Sequence, residues 1–390
     1  MKQSPYWHKW NLVYKTEFLD NVMPFWLKYG WDRSHGGVYT CLNRDGSLMD
    51  TTKSVWFQGR FGWICAYAYN RLEKNPEYLV ASRSCCEFLD EHCFDQDGRA
   101  FFEVTADGIG LRKRRYVFSE CFAALAYAEY SLASGDRKWG RKAVNLFKRI
   151  RKFTAHPNKW MPAKYEPAFA AQGHSLTMIL INVANVLKQI SDDPLLDRQI
   201  DESIDSLTRY FIHPEFKALL ETVGPNGEFI DTLAGRVINP GHCIETAWFL
   251  MEVATARNDQ KLLSTALQIL DWSWAWGWDK QFGGIVSFKD CRNLPPQCYE
   301  QDMKFWWPHC EAIIASAYAY RLTRKPKYRK MHQLVSDWTW AHFKDLKHPE
   351  WYGYLHRDGT VAQPAKGNLF KGPFHIPRML VKTWELTRDL

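Results

Sequence analysis

Trp31-Asp32-Arg33-Ser34-His35-Gly36-Gly37-Val38 returns in this chain as Trp278-Asp279-Lys280-Gln281-Phe282-Gly283-Gly284-Ile285, with Trp, Asp and the Gly pair at the same spacing. Weaker copies stand at Cys93-Phe94-Asp95-Gln96-Asp97-Gly98 and Glu350-Trp351-Tyr352-Gly353-Tyr354. Turn dipeptides recur at Asp45-Gly46, Asp107-Gly108, Asn226-Gly227 and Asp358-Gly359. Such pairs mark hairpins and tight turns. Their spacing, on the order of 60 residues, divides the chain into about six units.

Each turn region precedes a run with helical periodicity, near 53–70, 115–133, 173–190, 241–257, 305–322 and 373–388. A second helical run follows five of them, near 76–93, 138–153, 198–212, 260–275 and 326–343, and the N-terminal run near 6–28 is left to partner the sixth. The first run of each pair is apolar nearly all round, as in Phe57, Phe61, Trp63, Ile64, Ala66 and Tyr67. A helix of that kind is buried, and the more charged second runs belong outside. Helical hairpins stack as an open solenoid or close into a ring. The N-terminal helix completing the last pair points to a ring. The expected fold is all-α: an (α/α)6 barrel, a toroid of six helical hairpins with short β-hairpin-like loops at one mouth, in a single domain spanning 1–390. No linker or low-complexity stretch divides it.

Composition narrows the function. Of 390 residues, 46% are hydrophobic and 24% charged, the balance of a soluble globular protein. Aromatic residues reach 15%, with 19 Trp, which suits both cores and sugar-binding clefts. The net charge of +8 is scattered apart from Arg112-Lys113-Arg114-Arg115 and the Lys148–Lys152 stretch. No nucleic-acid module accompanies it, so nucleic acid is not the expected partner. No apolar run is long enough to span a membrane, and the N-terminus lacks a signal-peptide apolar region. Ten Cys without a CxxC pair read as buried free thiols in a reducing, cytoplasmic compartment.

The polar residues near the starts of the inner runs are Gln58 and Arg60, Glu120, His174, His242 and Glu245, His309 and Glu311, then His375 and Arg378. Four of the six starts bring a histidine, the side chain best poised to exchange protons near neutral pH. His242 and His375 each sit just inside a Gly/Pro-marked start, with a charged residue three positions on, Glu245 and Arg378. Two bases in one pocket are what moving a proton from one face of a carbon to the other requires. Three histidines from separate helices also suit a zinc ion, although no HxxxH or HExxH occurs. Glu120, Glu245 and Glu311 keep glycoside hydrolysis open. Phosphate-loop signatures are absent. Cys243 beside His242 is no ready dyad, because adjacent helical residues point about 100° apart.

Trp56-Phe57-Gln58-Gly59-Arg60-Phe61, Asn239-Pro240-Gly241-His242-Cys243-Ile244-Glu245, Trp306-Trp307-Pro308-His309-Cys310-Glu311-Ala312 and Lys371-Gly372-Pro373-Phe374-His375-Ile376-Pro377-Arg378 closely resemble the N-acylglucosamine 2-epimerase family, also known through renin-binding protein. The resemblance runs along essentially the whole chain. It favours the N-acylglucosamine branch over the cellobiose 2-epimerase and aldose–ketose isomerase branches. It implies an (α/α)6 barrel, a homodimer, and interconversion of N-acetyl-D-glucosamine and N-acetyl-D-mannosamine, a step linked to sialic-acid metabolism. A 2-epimerase or isomerase acting on free mannose, glucose or a disaccharide is the alternative; a barrel hydrolase and a non-enzymatic binding protein are further ones. His242 and His375 match the family's two bases. Arg60 is expected to bind the aldehyde oxygen and stabilise the developing enolate charge. Glu245 is expected to orient or tune His242, or to hold a substrate hydroxyl. His174, His309, Glu311, Gln58, Trp306 and Arg378 are expected to bind or wall the substrate. No metal and no cofactor is expected for the chemistry. Members of this kind often need ATP as an activator that is not consumed. Its expected place is the segment from Lys152 to Gln172, with Pro157, Asn158, Lys159 and Lys164, which departs from the more basic, glycine-containing pattern of nucleotide-responsive members.

Overall fold

The computed structural model describes residues 4–161 and 167–390. Lys164, in the stretch expected to meet ATP, lies outside the described residues. Twelve principal helices follow in order. They are α1 (Pro5–Glu17), α2 (Val55–Arg71), α3 (Pro76–His92), α4 (Phe118–Ser134), α5 (Arg137–Ala155) and α6 (His174–Leu187), then α7 (Pro194–Ser206), α8 (Pro240–Arg257), α9 (Gln260–Gly277), α10 (Trp306–Thr323), α11 (Pro326–His342) and α12 (His375–Thr387). α1 runs on through π-helical turns, Phe18–Val22 and Trp26–Gly30, that flank Pro24. A proline there cannot donate its helical bond, and a local change of hydrogen-bond register accommodates it.

The starts of these helices are chemically marked. Asn75, Asp136, Asp193, Asn239 and Asp259 accept a hydrogen bond from a backbone N–H of the first turn of α3, α5, α7, α8 and α9. These caps satisfy donors that have no partner inside the helix. Proline in the first turn of α3, α7, α8 and α11 gives up no needed N–H.

The ring closes. The inner helices touch in the order α2, α4, α6, α8, α10, α12 and back to α2. Each outer helix lies on its inner partner, and α1 packs on α12 as the sixth pair. Inner helices are buried over most of their surface, α4 along Ser119–Ser131 for instance. Gly59 lets α2 approach α4 closely: a Cβ there would meet the Phe122 backbone at 2.5 Å. The (α/α)6 barrel expected from the repeat is the observed fold, and among the described residues no helix is long and apolar enough to cross a membrane.

The repeated sequence is a repeated staple. Trp31 bridges Val38, and Trp278 bridges Ile285. Gly36 and Gly37, like Gly283 and Gly284, stand at φ between 72° and 82°. That left-handed backbone strains any residue with a Cβ. Asp32 and Asp279 accept from backbone N–H groups within their turns and from buried lysines, Lys53 at 2.7 Å and Lys304 at 3.0 Å. A third copy pairs Asp345 with Lys366 at 2.8 Å and bridges Lys344 to Trp351. It therefore begins at Lys344-Asp345, ahead of the Glu350–Tyr354 stretch that the sequence singled out. Short antiparallel strands extend the loops, such as Lys304–Phe305 with Tyr354–Leu355 and Val361–Gln363. Nine of the ten cysteines are buried and all are free thiols.

Candidate active site

A cavity of about 390 Å³ opens at the loop-bearing mouth of the ring. Its walls are apolar and aromatic, with Trp306, Trp307, Phe122 and Phe374 among them; Arg60, His242, Glu245, His375 and Arg378 supply polar groups. The inner helices thus bring together residues more than 300 positions apart in the chain, from Arg60 to Arg378.

His242 and His375 are held alike. The Nδ1–H of His242 donates to Glu221, 3.0 Å from Oε2. The Nδ1–H of His375 donates to Glu311 Oε1 at 2.7 Å. A carboxylate behind one ring nitrogen fixes the tautomer and leaves Nε2 for chemistry. Both rings touch Trp307, with centroids 5.2 Å from His242 and 5.8 Å from His375. Gly241 makes room for that indole, because a Cβ there would meet it at 2.4 Å.

Their electrostatics are opposite. Burial alone would lower the pKa of His242, but Glu221, with Glu245 and Glu311, raises it above the usual imidazole range. Burial lowers His375 well below that range, and the charges of Arg378 and Arg60 add to the effect. One imidazole is poised as an acid and the other as a base. Two titratable groups pushed apart by their surroundings are the signature of an acid–base pair.

Arg60 adds a charge. Its guanidinium lies 4.0 Å from the Phe122 ring and 4.6 Å from that of Phe374. Its buried Nε has no hydrogen-bond partner among the described residues. Burial, together with the like charge of Arg378, pushes its pKa down to about 9, which still leaves it cationic at neutral pH.

Several expected site residues do other work. Glu245 does not orient His242; it accepts from Arg378 Nη2, and the carboxylate behind His242 is Glu221. Glu311 is fully buried and binds Trp248 Nε1, His375 and Arg378, so it holds the His375 ring from behind the cavity lining. His174 lies behind the cavity wall, its Nε2 2.8 Å from the Thr246 hydroxyl and its Nδ1 3.8 Å from Glu221. Gln58 and His309 are corrections too. Gln58 accepts from Val38 N–H and donates to the carbonyls of Val38 and Ser54. The His309 Nδ1–H donates to Phe305 O, and its Nε2 accepts from Ile285 N–H at 2.8 Å. Val38 and Ile285 end the two copies of the repeat, so both side chains clamp the staple. Glu120 does the same for Ala100 N–H while pairing with Arg99. Trp306 and Arg378 do line the cavity.

Glu221 was not legible as a site residue. Its one signal is an acid isolated among Leu219, Leu220, Thr222 and Val223. Among the described residues, two trios have potential metal-ligand atoms within 4.8 Å of one another: His174, Glu221 and His242, and Glu245, Glu311 and His375. In the second, Arg378 already supplies the positive charge between the two carboxylates.

Comparison with known proteins places this geometry. Residues 37–372 match the family described as N-acylglucosamine 2-epimerase (GlcNAc 2-epimerase). The N-acylglucosamine 2-epimerase of Bos taurus is 34% identical over 380 residues, covering 95% of this chain and 90% of the relative. That of Homo sapiens is 32% identical over 376 residues, 94% and 88% of the two chains. Among solved structures, cellobiose 2-epimerase from Bacillus thermoamylovorans superposes with a TM-score of 0.85 at 21% identity, covering 97% and 99%. A D-mannose isomerase superposes at 0.81 and 18% identity over all of both chains.

Proposed function

This chain belongs to the N-acylglucosamine 2-epimerase family, and we propose that it interconverts N-acetyl-D-glucosamine and N-acetyl-D-mannosamine by moving a proton across C2. The observation that carries the reading is the pair of carboxylate-backed imidazoles in one cavity, displaced in opposite directions. The relatives at 32–34% identity are named for that substrate, which favours it over free hexoses or disaccharides.

The acyclic aldehyde makes the C2 proton acidic, because the adjacent carbonyl accepts the charge. For one epimer, His375 enters neutral and removes that proton. His242 enters protonated and delivers a proton to the opposite face. The other epimer runs the same steps with the roles exchanged. Arg60 holds the aldehyde oxygen, where charge develops, and a guanidinium whose buried Nε has no partner among the described residues is suited to that task. Glu311 and Glu221 keep each Nε2 toward the substrate, and Arg378 neutralises Glu245 and Glu311.

The finer attributes belong to the same proposal. Buried free thiols favour a reducing, cytoplasmic setting. The sialic-acid link follows from the product. ATP acts as an activator that is not consumed, and the enzyme works as a homodimer. Assays with and without ATP, and light scattering, test these two points. Chromatography after incubation with N-acetylmannosamine, mannose or cellobiose tests the substrate. N-acetylglucosamine as the dominant product is expected; preferential turnover of mannose or cellobiose would move the enzyme to the alternative branch.

A further inference from the structure

The axis of this ring holds a second cavity below the active site. On α12 the stripe His375, Arg378, Lys382, Glu385 has the spacing of a single helix face. It descends from the front cavity into a second one of about 240 Å³ at the opposite end. The two cavities share Asn182, Phe374 and Arg378, so a partition of single side chains separates them. A ring that needed only packing would close its axis with apolar side chains. Here the rear chamber is polar: Lys382 pairs with Glu252, and the Tyr67 hydroxyl donates to Glu385. Arg71 bonds Gln189 across its exposed rim at 2.8 Å.

Three buried atoms of its lining are left over among the described residues, and Trp63 Nε1 is one of them. Glu129 is 0% exposed and lines the chamber; Asn70 binds its Oε1, while Oε2 has no partner among the described residues. Arg378 Nε, in the partition, also lacks one. Buried polar groups without protein partners hold water where the space is polar and roomy. Burial also raises the Glu129 pKa, favouring an acid that can donate to such a water.

We propose that the rear chamber is a water-filled second entrance to the active site, through which solvent protons reach the histidines as they reset between conversions. The proposal rests on the two-histidine reading above. Each conversion leaves one proton on one imidazole and removes one from the other. Before the next conversion in the same direction, the protonated imidazole passes its proton to water and the other takes one from water. No other reactant is consumed.

Two variants narrow the chamber without touching the catalytic groups: Val186→Phe in its wall and Gln189→Trp at its exposed rim. The readout is label displacement. The two epimers, labelled with carbon-14, are equilibrated with enzyme, and a large excess of one unlabelled epimer is added. When reprotonation limits turnover, the label is driven transiently away from equilibrium. The variants should increase that displacement at least threefold over the unmodified enzyme, at an unchanged single-turnover rate. A crystal structure should hold ordered waters on Arg378 Nε and Glu129 Oε2, continuous to the rim. An unchanged displacement in both folded variants, or a dry chamber, would overturn the proposal. Absence of any epimerisation by the unmodified protein is a different result and would remove the two-histidine reading itself.

Discussion

Replacing Glu221 by Gln removes the charge that raises the pKa of His242 and leaves the shape of the site nearly unchanged. The carboxylate sits 3.0 Å from His242 Nδ1, close enough to outweigh the burial that would otherwise lower this imidazole. An opposite charge at such range moves a pKa by about 1–3 units. Productive enzyme carries one proton on the His242–His375 pair. The acid limb of its pH profile reflects the low pKa of His375, and the alkaline limb the raised pKa of His242. The split of that proton between the two rings does not change with pH, so both epimers should give the same two limbs. In Glu221→Gln the alkaline limb should move about 1–3 units toward acid. Each unit beyond a limb costs tenfold, so at pH values above the alkaline limb of the unmodified enzyme kcat/KM should fall by about 10- to 1,000-fold. The assay is kcat/KM against pH for N-acetylglucosamine and N-acetylmannosamine separately. An alkaline limb that stays in place, in a folded variant, would refute the assignment of Glu221 as the group that sets His242.

His242→Ala and His375→Ala should each lower epimerisation by about 10³-fold or more, with circular dichroism unchanged, and each should still exchange the C2 proton of a single epimer with solvent deuterium. His309→Ala should act on stability, because it leaves the buried Ile285 N–H without its partner. Denaturant unfolding should show a loss of about 1–3 kcal/mol, and an unchanged stability would contradict the clamp. Dialysis against EDTA should leave turnover intact; loss of activity restored by added zinc would reassign His174, Glu221 and His242 to a metal site.

The ring was legible because its punctuation is strict. Asp and paired Gly recur at fixed offsets for reasons of turn geometry, and the apolar inner runs alternate with charged outer ones. The site was legible only in part, and the reason is rotation about a helix. Gln58 and His309 both stand four residues after the N-cap, at Ser54 and Phe305, and point back to the staple. His242 stands three after its N-cap Asn239 and faces the cavity. One position, about 100° of turn, separates a structural clamp from a cavity-lining imidazole. Residue type and proximity to a helix start do not resolve that difference. Glu221 escaped notice for another reason. It precedes a two-residue strand 21 positions before the histidine it serves, and only the folded chain brings them together.

The central claim is that two histidines move a proton across C2. Proton NMR of the purified protein with N-acetyl-D-mannosamine in D2O, with and without ATP, tests it most directly. The account predicts N-acetyl-D-glucosamine carrying deuterium at C2 from the first turnovers. N-acetyl-D-glucosamine that keeps the original C2 proton, or no conversion by folded protein in either condition, would contradict it.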